Sequence, residues 1–308
     1  MAILPSESIL IALVIGFVAI LAVFLKNFLD KRKIIFTKYN NEKKFSPLLK
    51  GSLEPNIYVD CLDLKYECIG EVISTTKGFK GEQIRLLENF SRVGEKPIRL
   101  SKRITGAFAD QGKLFISILL ANRLSMLSII DYQQFCYQLR SITKAQNLTV
   151  NIPCFDDVMK RAKLASKKIS SLDKKLALSI LCVQPPSSNT LRGLMSVKNL
   201  LEYVEGRYVK LSENGEVNYS VGFGADKLTI TFLLDLPRVK SPYDKFLDMF
   251  DQALWLSNSI NGKVSDDRGV LIPSSEKLRI ASQVMQKEKE LEVAGIKPGS
   301  DLALRIFC

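Results

Sequence analysis

A run of seventeen apolar residues, from Ile9 to Leu25, constrains the architecture of this chain more than any other feature. At helical rise such a run covers about 26 Å, which approaches the thickness of the hydrocarbon core of a bilayer. A signal peptide would carry basic residues before its apolar core, whereas here they appear only from Lys26 onward. The run therefore predicts a transmembrane helix, with a signal peptide or a buried core helix as the alternatives.

The charges that flank this run predict its orientation. Between Lys26 and Lys50 the chain carries eight Lys and Arg residues against two acidic residues, and only Glu7 precedes the run. Positive charge is retained on the cytoplasmic side of a membrane. We therefore expect a single-pass protein of the cell inner membrane with a periplasmic N-terminus and cytoplasmic domains. Anionic lipid headgroups are the expected partner of the segment from Lys26 to Lys50.

Composition narrows the classes of function. The chain has no histidine, which excludes Ser-His-Asp and Cys-His catalysis and histidine metal sites. The six cysteines form no CxxC pair, and no set of paired acids stands out. We therefore expect no enzyme, no catalytic residues, no cofactor and no metal. The net charge is +12, but the basic residues are not interleaved with aromatic residues as they are in nucleic-acid sites. We therefore expect an acidic protein partner and no nucleic acid.

The chain divides into four predicted segments. These are the anchor with its basic flank (1–33), a short linker (34–55) and two similar units (56–171 and 172–308). Each unit is predicted to run strand, helix, strand, then strand, helix, strand, helix. The expected fold class is α+β: a transmembrane helix followed by split βαβ units in tandem, each an antiparallel sheet with helices on one face. The alternating tail from Leu302 to Phe307 is predicted to add an edge strand.

A sheet that is covered by helices on one side leaves its other face for a partner. In the predicted strand from Leu228 to Leu236, alternation directs Leu233 toward the open face. Leu178 and Ile180 share one face of an earlier strand, and if that face is the open one they form an apolar strip with Leu233. The alternative is that Leu178 and Ile180 point into the core, because a register slip of one residue reverses every side chain.

The second unit resembles the C-terminal domain of the ZipA family, which comprises membrane-anchored division proteins that bind the tubulin-like protein FtsZ. The resemblance extends from about Lys175 to Leu291. Its features agree in order and spacing: Leu191-Arg192-Gly193, the strand end Phe232-Leu-Leu-Asp-Leu-Pro237, the helix Phe246…Met249…Ala253…Ile260-Asn-Gly262, the turn Asp266-Asp267-Arg268, and Lys277-Leu278.

The resemblance implies both a fold and a partner. It implies a split βαβ domain whose open sheet face holds the C-terminal tail of FtsZ in a shallow apolar groove. The family's groove positions fall on Leu178, Ile180 and Leu233, and on Val217 and Tyr219 with an uncertain register. The first unit resembles a degenerate copy of the same domain. The chain would then be a cell-division adaptor that tethers the Z ring to the inner membrane at the division site.

Two departures from the family keep other functions open. The segment between the middle hairpin and the Leu228 strand is shorter than in the family, and the long linker is replaced by about twenty lysine-rich residues. An envelope or divisome scaffolding protein that uses the same fold for a different partner is the alternative, followed by a membrane-bound enzyme. Self-association of the chain stays open, as does the role of the first unit.

Overall fold

Two antiparallel sheets organise the part of the chain that the computed structural model describes. That part comprises Val59 and residues 61–76, 78–108, 112–204, 206–224 and 228–308. The predicted transmembrane run from Ile9 to Leu25, its basic flank and the linker lie outside these residues. Among the described residues no helix combines the length and apolarity that a membrane crossing requires. The predicted fold class, with its transmembrane helix, is therefore wrong as stated, and the fold described is α+β with antiparallel sheets.

The first half of the described chain forms a five-stranded sheet in the order β2-β3-β6-β1-β7, together with a separate two-stranded hairpin, β4-β5. Its strands are β1 (Glu67–Ser74), β2 (Arg92–Val93), β3 (Lys96–Ser101), β4 (Arg103–Ile104), β5 (Ala107–Phe108), β6 (Lys113–Leu119) and β7 (Leu148–Asn151). Its helices are α1 (Gly81–Asn89), α2 (Ile129–Ala145) and α3 (Phe155–Leu172).

The second half forms a six-stranded sheet in the order β13-β8-β12-β11-β10-β9. Its strands are β8 (Lys175–Cys182), β9 (Leu200–Val204), β10 (Arg207–Leu211), β11 (Val217–Phe223), β12 (Thr229–Asp235) and β13 (Gly262–Ser265). Its helices are α4 (Ser188–Val197), α5 (Pro242–Ser259), α6 (Lys277–Val293) and α7 (Asp301–Ile306), with 3-10 turns at Leu236–Arg238 and Ser274–Glu276.

The two sheets share a central strand order. In the first sheet, with the order β3-β6-β1-β7, the strand β1 lies between β6, which precedes the long helix α2, and β7, which follows it. In the second sheet the order β11-β12-β8-β13 does the same around the long helix α5. The second sheet differs by extending through β10 and β9 on one side, which widens it beyond β11.

Asparagine makes the same backbone turn at three helix ends. Asn147, Asn199 and Asn261 each follow a helix, precede a strand and have a φ between 52° and 55°. Asparagine visits this left-handed region more readily than other residues with a Cβ. Each asparagine therefore ends its helix and directs the chain straight back into the sheet, which keeps these connections short.

The end of the chain returns to the first sheet. Ser300 caps α7, because its hydroxyl accepts a hydrogen bond from the Ala303 amide at 3.2 Å. The predicted edge strand at Leu302–Phe307 is therefore wrong, and this segment is helical. The buried residues after the middle of α6 belong to the core of the first sheet, and they are Leu291, Ala294, Ile296, Ala303, Ile306 and Phe307. Consistent with this, the described residues fall within one compact unit.

A buried ion pair fastens this returning segment. Glu67 of β1 is fully buried, and its carboxylate accepts hydrogen bonds from the Asp63 amide at 2.6 Å and the Ser117 hydroxyl at 2.9 Å. Arg305 of α7, with 8% of its side chain exposed, donates to the same carboxylate at 2.8 Å. Each oxygen of Glu67 thus has a partner, which is the condition under which a buried charge is tolerated.

Tyr66, which contacts the same returning segment, should make the protein less stable in alkali. Tyr66 is buried and donates from its hydroxyl to the Ala294 carbonyl at 2.9 Å. Burial, followed by the nearby Asp63 charge, raises its pKa from 10.0 to about 12. Because the unfolded tyrosine ionises first, this contribution to the free energy of unfolding is complete below pH 10 and is lost as the pH rises toward 12.

We expect Tyr66→Phe to lower the free energy of unfolding by about 1 kcal/mol at neutral pH, through loss of one hydrogen bond. The difference between the variant and the original chain should shrink as the pH rises through this window. Urea titrations at steps from pH 8 to pH 12 measure it. A difference that stays constant over the whole range would contradict the assignment.

Candidate partner-binding site

The helix side of the second sheet holds two of the residues that were predicted to lie on its open face. Leu178 pairs across the sheet with Phe232, and Ile180 pairs with Ile230. All four side chains are buried in the cluster that α4, α5 and α6 complete. The predicted open-face position of Leu178 and Ile180 is therefore wrong, because the β8–β12 register aligns them with the inward residues of β12.

Tyr219 also faces the helices. Its side chain is buried, and its hydroxyl donates to the Asp248 carboxylate of α5 at 2.9 Å. Burial and the adjacent Asp248 charge raise the pKa of Tyr219 well above its usual range. Val217 is half-buried and lies opposite Leu211, where a bulge shifts the register between β10 and β11. Leu233, by contrast, lies on the face away from the helices, and the partner of Val217, Leu211, has the same parity on β10 as Val209 of that face.

An apolar row crosses this second face, which we call the open face. Cross-strand pairing brings one residue from each of five neighbouring strands into line, and these residues are Ala177, Leu233, Ser220, Val209 and Leu201. Val209, the fourth residue of the row, is buried, whereas Leu201 at its end is 54% exposed. The row is therefore apolar except for Ser220 at its middle, and it runs across the strands rather than along them.

A polar row lies beside the apolar one. It contains, in cross-strand order, Ser265, Ser179, Thr231, Gly222 and Arg207. The Ser179 and Thr231 hydroxyls are 3.2 Å apart and hydrogen-bonded. Ser265 donates to the Ser179 carbonyl at 3.3 Å. Ser265 and Ser179 are buried, so the half-buried Thr231 carries the hydroxyl of this row that a chain laid against the face can reach.

Basic side chains border the open face. Lys175 pairs with Asp235 at one end of β8, and Lys263 pairs with Leu181 at the other. Arg207 lies directly beside Gly222 on β10. Arg123 already binds the Asp235 carboxylate at 2.7 Å and 2.8 Å. The Asp235 carboxylate is therefore already bound within the protein, and the three basic side chains make the rim favourable to a ligand with negative charge.

The same arginine connects the open face to the rest of the molecule. Arg123 follows β6 and donates to both oxygens of Asp173, at 2.6 Å and 2.9 Å, as well as to Asp235. Its backbone amide donates to the Ile306 carbonyl at 2.7 Å, and its guanidinium lies 5.6 Å from the centre of the Phe307 ring. Hydrogen bonds to the two carboxylates outweigh desolvation and raise the pKa of Arg123, so it remains charged. One side chain thus joins both sheets to α7.

Sequence reasoning missed Leu201 and Val209. Both lie on β9 and β10, a hairpin whose residues carry no alternation clear enough to assign a face without knowing the register. The pairing of Leu201 with Val209, and of Val209 with Ser220, supplies that information. Among the described residues, no group of three or more Cys, Asp or Glu side chains gathers where it could hold a metal ion.

Comparisons with known proteins add little to this geometry. No protein-family profile matches the chain, and no curated protein matches it at a significant level. One of the solved structures that it resembles is a crystal structure of a glycine cleavage system transcriptional repressor. That likeness has 10% sequence identity and a TM-score of 0.17, and it covers 65% of this chain and 94% of the other. A likeness of this size carries no argument about fold or function.

Proposed function

We propose that this chain is an adaptor that binds an acidic peptide with apolar side chains across the open face of the second sheet. By the resemblance to the ZipA family, we propose the C-terminal tail of FtsZ as that peptide. The observation that supports the proposal is the apolar row through Leu233, Val209 and Leu201, which lies opposite the helices. The face is the one that the resemblance implies, although most of its residues differ from those that were predicted.

The charges of the rim support an acidic ligand. Lys175, Lys263 and Arg207 border the open face, and among the described residues none of the three takes part in an ion pair. An acidic tail would contact them while its apolar side chains cover the row. Charge of this kind contributes more to the rate of association and to selectivity than to affinity. Binding should therefore weaken moderately as the salt concentration rises.

A pair of exposed leucines provides the test. Leu201→Glu puts a charge on the open face, and Leu278→Glu puts the same charge on α6, where Leu278 is 68% exposed. An exposed leucine buried on docking contributes about 1.5–3 kcal/mol, so Leu201→Glu should weaken binding of an FtsZ tail peptide by about 10- to 100-fold. Leu278→Glu should leave it unchanged. Titration of the peptide into the full chain by calorimetry measures both.

Two results would contradict parts of this proposal. Equal affinity of the two variants would place the peptide elsewhere, and absence of any heat or chemical shift change with the original chain would remove FtsZ as the partner. Leu233→Glu is a second probe, next to Ser220 at the centre of the row. Because Leu233 is half-buried, its unfolding curve must be recorded beside its affinity.

A scaffolding protein for a different envelope or divisome partner is the second candidate. The favouring observation is that the residues at the family's groove positions Leu178, Ile180 and Tyr219 face the helices here. The surface that a partner would meet is consequently built from other side chains. The predicted location at the inner membrane stays a prediction.

A further inference from the structure

Gly222 leaves a gap in the open face, although its backbone conformation does not require a glycine. It lies inside β11, where a glycine costs roughly 0.5–1 kcal/mol relative to a residue with a side chain. Its φ is outside the left-handed region that favours glycine. A Cβ added at Gly222 would meet no atom within 4 Å. Neither conformation nor close packing therefore accounts for the missing side chain.

At two other glycines in the sheets, close neighbours leave no room for a side chain. A Cβ on Gly70 of β1 would approach a methyl carbon of Leu139 to 2.9 Å, and one on Gly262 of β13 would approach Ile180 to 2.5 Å. Both positions face helices or the core, where a larger residue would force a neighbour to move. Gly222 faces away from the helices, and the space above it is open.

The surroundings of Gly222 define what this space could receive. Its cross-strand neighbours are Thr231 on β12 and Arg207 on β10, and Ser220 of the apolar row precedes it by two residues on the same face. The space is thus a notch with a backbone floor, flanked by the strand positions of Thr231 on one side and Arg207 on the other. An apolar side chain fits the floor, and a carboxylate next to it in the ligand would pair with Arg207.

We propose that Gly222 is the specificity-determining position of the open face. The notch above it receives one apolar side chain of the docked acidic peptide, and Arg207 binds a carboxylate that neighbours that side chain in the peptide. This inference rests on the proposed function, because it assigns a role within the same face. It adds that Gly222 selects one peptide position by the size and shape of its side chain, and that Arg207 selects another by its negative charge.

Filling the notch tests the inference without disturbing the fold. Gly222→Val adds a β-branched side chain in open space within a strand, so the free energy of unfolding should stay the same or rise. Peptide affinity should fall by about tenfold or more, because a buried apolar group of the peptide loses its place. Gly222→Ala should give a smaller loss. Gly193→Ala, on α4 and likewise in open space, is the matched control and should not change affinity.

A double-mutant cycle identifies the peptide residue involved. Each apolar position of the FtsZ tail peptide is replaced by alanine and titrated against the original chain and against Gly222→Val. One position should weaken binding to the original chain but have little further effect on the variant, which is coupling between the two groups. The same cycle with Arg207→Gln and each acidic peptide position should reveal the paired carboxylate.

The results distinguish this inference from the function on which it rests. If the original chain binds the peptide, Leu201→Glu weakens binding and Gly222→Val does not, the notch is refuted while the docking face stands. If Gly222→Val weakens binding but no peptide position couples to it, the shape-reading role is refuted as well. If the original chain fails to bind the peptide at all, both the partner and the notch assignment fall together.

Discussion

Glu67→Gln is expected to lower the free energy of unfolding by about 3 kcal/mol, because it removes the buried partner of the Arg305 guanidinium and leaves that charge with the exposed Asp301 carboxylate alone. The glutamine keeps the size of the original side chain but only one acceptor oxygen, so it can accept from the Asp63 amide while its NH2 group donates to the Ser117 hydroxyl. The loss therefore combines the removed charge with the altered contacts to Ser117 and Arg305. Urea unfolding measured by circular dichroism gives the difference.

A second arginine enlarges this effect. Burial lowers the pKa of Arg99, and the neighbouring positive charge of Arg305 lowers it further. The carboxylates of Asp301 and Glu67 raise it. Removing the Glu67 charge thus leaves the Asp301 carboxylate to offset both neighbouring guanidinium charges. Adding Arg305→Met to Glu67→Gln should recover part of the lost stability, because the buried charge that has lost its buried partner is then removed as well.

The control for Glu67 is an ion pair on the surface. Glu216 and Lys240 are 2.6 Å apart with both side chains largely exposed, and Glu216→Gln should change the free energy of unfolding by less than about 1 kcal/mol. Equal losses for Glu216→Gln and Glu67→Gln would show that burial of the Glu67 pair adds nothing to its contribution.

Arg123→Met should cost about 3 kcal/mol, since it leaves the carboxylates of Asp173 and Asp235 together without a cation between them. Only 13% of the arginine side chain is exposed, so solvent screens these charges poorly. The variant should also weaken peptide binding, because Asp235 then presents a free negative charge at the edge of the open face. Urea titration and the calorimetric peptide titration measure the two effects.

Two further variants sharpen this result. Arg123→Lys keeps the positive charge but cannot form paired hydrogen bonds with both carboxylates, so its loss of stability should fall between those of the methionine variant and the original chain. Arg192→Met breaks an exposed pair with Glu202 and should have little effect. If Arg123→Lys and Arg123→Met are equally destabilised, hydrogen-bond geometry rather than charge is the property that matters.

Local patterns predicted many of the elements. The stripe from Phe246 to Ile260 is the helix α5 followed by a turn at Asn261, and the alternating residues of β12 point to the faces that were expected. Both elements have one clearly apolar side, so the sequence period is enough to orient them. The tail after Ser300 was misjudged because six residues carry too few periods to distinguish a strand from a helix, and the serine cap decides the outcome.

The site was harder to predict for a different physical reason. The strand β8 has apolar residues at both parities, with Leu176, Leu178 and Ile180 on one side and Ala177 and Leu181 on the other. Alternation therefore does not determine which face is buried, and the choice depends on pairing with β12. Pairing between strands that are about fifty residues apart is a tertiary property, and no local pattern encodes it.

The return of residues 291–307 to the first sheet has a consequence for biosynthesis. Translation delivers β1, and with it the negative charge of Glu67, more than two hundred residues before Arg305. Until the last helix leaves the ribosome, the nascent first sheet carries an uncompensated carboxylate and an unfilled apolar cleft. Native packing of β1 and its neighbours should therefore be completed only after residues 291–307 have been synthesised, whatever the order in which the other elements fold.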